Sequence, residues 1–353
     1  MRKSPVIWLI AAFALLLAAC ETVLPLNEQE SGQLTINAIA EPGQPFCAYI
    51  SRSQSVVTTP FFKIVGNGES DVIKQQIEDV NTYFNDSMAV KNARAVVTVN
   101  HSRQYPMAYN DSDHMYHSQY VPQVGDVVAV TVTADSLPAA SAETTVLPIV
   151  ELTDISHELF YSKAADDEAR YFTSEDDWLA VDDDWGADTV MRITFKFHDQ
   201  PGTRNYYMMR VRSVGEFSIS GTTTFYHVGD VFTSASPVFH DGQLDKGYGL
   251  LNAYFNSAFD DHLIDGKDCV ITVESRIRRK MSGFFLGCKR YVMVDLLSIS
   301  PDLYYFQKSM AKYRISLSDV FTNPIGIHTN VSGGWGIVGS ASSKRYIFPY
   351  ANN

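Results

Sequence analysis

Gln33-Leu-Thr-Ile-Asn-Ala-Ile-Ala40 alternates, with Leu34, Ile36 and Ala38 on one side and Thr35, Asn37 and Ile39 on the other. A period of two puts one face against a core and the other toward water, which is the pattern of a β-strand. Glu41-Pro-Gly-Gln-Pro45 supplies a turn, and Phe46 to Arg52 (FCAYISR) supplies a second strand. The hairpin predicts the opening of a β-sandwich.

Upstream of this pair, Glu21 to Gly32 is polar and aperiodic and reads as a flexible tether. Before it, Arg2 and Lys3 precede the apolar run Val6 to Leu17, which ends in Leu17-Ala18-Ala19-Cys20. That is the layout of a secretory signal rather than of a spanning helix. A cysteine directly after Leu-Ala-Ala is the lipobox of bacterial lipoproteins, so residues 1–19 are expected to be removed. Cys20 is expected to carry the lipid, palmitate included.

Downstream, Glu69 to Asn85 breaks the strand pattern. Ile73, Ile77, Val80 and Phe84 fall on one helical face, which predicts an amphipathic helix inserted between strands. Ala93 to Val99 returns to alternation. Asn100 to Gln119 reads as a polar loop or hairpin tip; His101, His114 and His117, with Asp111 and Asp113, invite comparison with a metal site, but solvated loop is the plainer reading. Val127 to Thr133 is a regular strand, and Thr145-Val-Leu-Pro-Ile-Val150 reads as the last strand of the sandwich. Residues 33–148 therefore form the expected immunoglobulin-like β-sandwich with a helical insert.

Thr153 to Asp188 is acidic, with clusters at 166–168, 175–177 and 182–184. Asp182, Asp184 and Asp188 are weak calcium candidates, since calcium takes about six to eight oxygen ligands, although the EF-hand pattern is absent. Paired carboxylates could also serve glycoside hydrolysis, and Trp178 and Trp185 would suit a sugar face. The plain alternative is an acidic surface insertion.

Strict alternation resumes in Val190 to Phe197, and the turn from His198 to Arg204 leads to the strand Asn205 to Arg212. Asp-Gly turn signals follow at 241–242 and 265–266. Ser300-Pro301 reads as a helix N-cap and first turn; the helix is expected to reach about Arg314, with Leu303, Phe306, Met310 and Tyr313 on one face. The run Gly333-Gly-Trp-Gly-Ile-Val-Gly339 lacks the lysine and the strand-to-helix setting of a phosphate loop, and tight turning beside a buried Trp335 is expected. Residues 149–353 thus form a larger β-rich domain ending in a helix.

The chain has 353 residues, 45% hydrophobic and 19% charged, a balance that belongs to folded proteins. Its formal net charge is -12, and without Arg2 and Lys3 about -14, which disfavours nucleic acid and anionic lipid as partners. With Cys20 lipidated, Cys47, Cys269 and Cys288 remain. Cys269 and Cys288 lie in successive strand-like runs, and a cross-strand disulfide between them is geometrically possible. No Cys-x-x-Cys pair is present, which argues against zinc and thioredoxin-like chemistry.

Four pieces carry a resemblance: Cys20 with the opening strand pair, Asn205-Tyr206-Tyr207 after the Asp199-x-Pro201-Gly202 turn, the helix after Ser300-Pro301 with Tyr304-Tyr305, and Asn323-Pro324-Ile325 leading to Asn330-Val-Ser-Gly-Gly-Trp-Gly-Ile337. Together they resemble the Bacteroidota lipoproteins of domain-of-unknown-function family 4249. The resemblance implies a cell-envelope, outer-membrane lipoprotein on the periplasmic or surface face, often paired with a TonB-dependent receptor, and carries over no catalytic residue or cofactor. A non-catalytic binding or accessory module is the expected function. The alternatives are a secreted carbohydrate- or peptide-acting hydrolase using residues such as Asp182, Asp184 and His198, and a cell-surface adhesion or structural protein.

Overall fold

A computed structural model of the chain describes residues 32–53, 88–165, 168–172, 187–219, 222–229, 232–239, 257–278, 289–318 and 326–350. Among these the protein is mainly β, with two sheets and a long helix near the C-terminus. The larger sheet runs, in spatial order, β12 (Thr222–Gly229), β11 (Tyr206–Ile219), β16 (Lys289–Ile299), β17 (Gly334–Tyr350), β1 (Leu34–Ala40) and β2 (Cys47–Arg52). It continues through β5 (Met115–Ser118), β4 (Arg103–Asn110), β3 (Arg94–Val99), β6 (Val127–Ala134) and β7 (Leu137–Thr145), with β14 (Ala258–Asp260) paired to β11. The smaller sheet is ordered β13 (Phe232–Thr233), β15 (Asp268–Arg278), β10 (Ala187–His198), β8 (Thr153–Ala165) and β9 (Glu168–Phe172).

The period-two reading holds where it was strongest. Leu34, Ile36 and Ala38 are buried while Thr35, Asn37 and Ile39 are half-buried. In β10, Met191, Ile193, Phe195 and Phe197 enter the core while Arg192, Thr194 and Lys196 stay partly exposed. Their buried side meets β11 and β16: Phe197 sits edge-on to Tyr207 at 5.2 Å, and Tyr207 lies 5.4 Å from Phe259. Each such ring, fully buried, contributes on the order of 1.5–3 kcal/mol. A second cluster gathers Leu34, Ile36, Phe46, Val97, Val130 and Val338.

Helix α1 (Pro301–Ser318) runs past its expected end and packs Leu303 and Tyr304 onto Leu297, Ile299, Ile337 and Ala341. Its buried stripe is Leu303, Tyr304 and Ala311, whereas Phe306, Met310 and Tyr313 are only half-buried. Ser300 provides the first helical acceptor, its carbonyl taking the Tyr304 N–H, but its hydroxyl accepts from Ser340 N–H at 3.2 Å and so ties the helix to β17.

Three expectations are corrected. Residues 100–119 are not one polar loop: β4 and β5 form a hairpin whose tip is 111–114, with Met107 and Tyr116 buried in its inner face. The last sandwich strand stops at Thr145, and after Val146, which still pairs with Gly125 and Asp126, residues 147–152 carry no ladder; Pro148 has no N–H to give one. Trp335 is 47% exposed, so the glycines beside it do not turn around a buried ring.

They serve a parallel strand pair instead. β17 runs parallel to β1, from Leu34 opposite Gly334 to Ala40 opposite Ser340. A Cβ on Gly334 would lie 2.2 Å from the Leu34 carbonyl oxygen, and one on Gly336, whose φ is +105°, would lie 2.2 Å from the Ile36 carbonyl oxygen. Asn330 fixes the entry: its amide accepts from Val338 N–H at 3.0 Å and donates to Val338 O at 2.9 Å. One side chain thus substitutes for a strand partner. The expected helix at 69–85 lies outside the described residues.

Candidate functional site

Two turns meet at one end of the smaller sheet: the β10–β11 connection, 199–205, and the β14–β15 connection, 261–267. The first begins with Asp199, which has no exposed surface. Its Oδ1 accepts from the Tyr207 hydroxyl and from Asn205 Nδ2 at 3.2 Å, and its Oδ2 accepts from Gly266 N–H at 3.0 Å. Asp261, also buried, accepts from Asn205 N–H at 2.6 Å, and Asp265 accepts from Gly202 N–H at 3.0 Å. Backbone bonds from Asp199 N–H to Lys267 O and from Asp261 N–H to Asn205 O, both 3.1 Å, close the joint. Each turn thus uses its carboxylates to bind the other's amides.

The ligand atoms of Asp199, Asp261 and Asp265 lie within 4.8 Å of one another, and among the described residues this is the group spaced to take a metal ion. A hard cation such as calcium needs about six to eight oxygens. Here both Asp199 oxygens, one of Asp261 and one of Asp265 already accept hydrogen bonds, and Arg204 Nε stands 3.7 Å from the other Asp261 oxygen. The occupied lone pairs fit a clamp better than a cage. Burial, and then the bond to Asp199, push the Tyr207 hydroxyl far above its ordinary range, so it stays a donor. Burial likewise raises the Cys269 thiol to about 11, with the Asp199 charge adding to it.

The clamp shapes one side of a cleft of about 650 Å³. Leu147 to Glu151 form one wall, Lys196, His198 and Asp268 another, and Thr203 to Tyr206 the clamped side; Ile299 and Pro301 border the remainder. The charges at its rim are paired. Lys196 Nζ is 2.8 Å from Asp268, whose other oxygen is 2.8 Å from His198 Nδ1. Glu151 takes Lys344 Nζ at 2.7 Å and the Tyr346 hydroxyl at 3.0 Å. The hydrogen bonds from Lys196 and His198 hold the Asp268 carboxyl below the usual carboxylate range, and the Lys344 bond, then Tyr346, does the same for Glu151. The cleft therefore presents both signs of charge and many hydrogen-bonding groups, with local neutralisation of each sign.

Of the residues singled out from sequence, Cys20, Asp182, Asp184, Trp178, Trp185 and Cys288 lie outside the described residues, the last taking the disulfide expectation with it. Cys269 is a buried free thiol. Asp188 stands in β10 opposite Ser162 and Arg278. His198 reaches the cleft wall. The three histidines of the hairpin region take separate partners: His101 lies 3.4 Å from Glu143, His114 bonds Tyr109, and His117 bonds Asp113. The clamp is not legible locally, because Asp199 lies more than 60 residues before Asp261 and Asp265; its signal is two turns, Asp199-x-Pro-Gly and Asp265-Gly, each opening with an aspartate and closing on a glycine.

The profile of the family described as Domain of unknown function (DUF4249) matches residues 21–347. No curated protein matches the chain.

Proposed function

As the chain belongs to the DUF4249 family, we propose that it is an outer-membrane lipoprotein, anchored through Cys20, acting as a non-catalytic binding or accessory module beside a TonB-dependent receptor. The observation that carries the binding role is the cleft: one of its walls is fixed by the clamp, and its ionised groups neutralise one another instead of activating a nucleophile. The lipobox Leu17-Ala18-Ala19-Cys20 and the polar tether behind it support the anchoring.

Within the fold, the immunoglobulin-like reading of residues 33–148 is supported by the order β1-β2-β5-β4 followed by β3-β6-β7, the arrangement of the two sheets of such sandwiches. The division near residue 148 is supported by two clusters that part there in sequence, one drawn from Leu34 to Val146 and joined by Val331 and Val338 from beyond it, the other beginning at Leu152.

The test has two arms. Cys20→Ser should abolish palmitate incorporation and release the protein from membranes, with a signal-swapped version to exclude retention through an uncut signal. Affinity purification of the anchored protein from native membranes should recover a receptor barrel; recovery of free monomer alone would sink the accessory role. The hydrolase reading keeps one supporting feature, His198 bonded to Asp268 at the cleft wall. It requires that His198→Ala abolish turnover of a peptide or glycan.

A further inference from the structure

We propose that the cleft binds a short, extended oligopeptide, which pairs through main-chain hydrogen bonds with the segment Leu147–Glu151. The inference rests on the binding-module reading above and names its ligand class.

The segment is the place where the chain leaves the β7 ladder, and its backbone is unspent. Among the described residues, no hydrogen bond is recorded for the N–H groups of Leu147, Ile149, Val150 and Glu151, or for any carbonyl from 147 to 151. Its two ends are held. Val146 donates to Asp126 O at 2.9 Å and accepts from Gly125 N–H at 2.8 Å, and Leu152 N–H donates to the Tyr346 hydroxyl at 3.0 Å. Pro148 fixes a further φ angle within it. Main-chain groups without partners, on a segment held at both ends, are what an added peptide can pair with, and a segment fixed beforehand lowers the ordering cost of binding.

The dimensions agree. A five-residue peptide, fully extended, reaches about 17 Å, the most that the five residues of the segment could match alongside it. A cleft of about 650 Å³ falls in the range of small-ligand sites, roughly 300–1,000 Å³. The side chains agree as well. Ile149, 41% exposed, offers an apolar contact on the segment, while the paired Lys196 and Asp268 line another wall and leave the cleft without a net charge of either sign there. A glycan would be expected to stack on exposed rings. Among the described residues, the exposed aromatics Trp335 and Tyr305 do not line the cleft, and the lining Tyr206 and Tyr207 are buried.

The experiment uses the full-length chain extracted from membranes and an equimolar library of five-residue peptides, read by native mass spectrometry and amide hydrogen exchange. Peptides should be retained, and the amides of Ile149, Val150 and Glu151 should slow on binding. Val150→Pro, which deletes one donor, should lower retention about tenfold, the worth of one main-chain hydrogen bond, in protein that circular dichroism shows to be folded, although the lost packing of Val150 on the core lowers its unfolding midpoint. If Val150→Pro does not fold, Ile149→Asp provides the second test, with the same direction expected. Retention unchanged in the folded variants, no peptide retained, or retention of a malto-oligosaccharide library in place of peptides would each overturn the proposal. Receptor co-purification is scored on the same membranes. A barrel without peptide refutes the peptide ligand alone, and peptide without a barrel refutes the accessory role alone.

Discussion

Replacing Gly336 by alanine should cost more stability than any other single-methyl change in the β1–β17 pair, because two penalties coincide there. Its φ of +105° lies where side-chain-bearing residues are strained, by about 1–3 kcal/mol. The added Cβ would also meet the Ile36 carbonyl oxygen at 2.2 Å and its carbon at 2.9 Å, with Asn37 Oδ1 at 3.0 Å. Relief requires β1 to retreat by roughly 1 Å from contact that close. Such a retreat stretches the ladder bonds around the Ile36–Gly336 pair beyond useful length, at about 0.5–1.5 kcal/mol for each bond lost. The sum for two bonds and the backbone strain is about 2–6 kcal/mol, reaching into the tail of single-substitution effects. In urea this corresponds to a midpoint lowered by roughly 1–2 M for a slope near 3 kcal/mol/M. Gly326→Ala is the control: nothing lies within 4 Å of its added Cβ, and its backbone is not left-handed. The assay is equilibrium unfolding followed by tryptophan fluorescence and circular dichroism. A Gly336→Ala midpoint indistinguishable from the parent, or an equal loss in Gly326→Ala, would refute the reasoning.

Asn330→Ala should destabilise by about 2–4 kcal/mol in the same assay, since it strands the N–H and C=O of the fully buried Val338; Asn330→Asp should not restore the loss, as a carboxylate cannot donate to the Val338 carbonyl. Tyr207→Phe removes a donor from the fully buried Asp199 and should cost about 1–3 kcal/mol, read from the denaturant midpoint. Burial opposes ionisation of Asp126, but bonds from Tyr120, Asn100 and the Gln123 amide outweigh it and hold the carboxyl below its ordinary value. Its stabilising share is therefore fully present above the unfolded value near 3.9 and is lost as pH falls through the lower folded value. Asp126→Asn should flatten the acid limb of a stability profile measured below about pH 4, and an unchanged limb would count against the assignment.

Strands with regular alternation were readable from residues alone: β1, β10 and the start of β11 show their buried sets as every second apolar side chain. The β4–β5 hairpin was less legible. Its inward residues, Tyr105, Met107 and Tyr109, are spaced by Gln104, Pro106 and Ala108, and polar turn residues surround them. The reverse holds at 147–150, where an apolar composition imitates a strand while Pro148 withholds a donor and no neighbour supplies a ladder. The glycine run showed that glycine was needed but not why, since the close carbonyls belong to β1, about 300 residues earlier. The clamp lay beyond local reading for a similar reason: each turn looks self-sufficient until the other's amides are placed beside its carboxylate.

The parallel pairing of β1 with β17 has a consequence for the order in which the protein is made. Leu34 leaves the ribosome 300 residues ahead of Gly334, its eventual neighbour. Until the last strand arrives, β1 has β2 on one side and a bare row of amides and carbonyls on the other. Contacts of such separation form slowly, because a long loop must close before any bond rewards it. A nascent chain thus carries an open strand edge for nearly its whole synthesis, and a nonsense change before Gly334 would make that exposure permanent. Such truncated chains should aggregate through β1 even though almost every other strand has been produced.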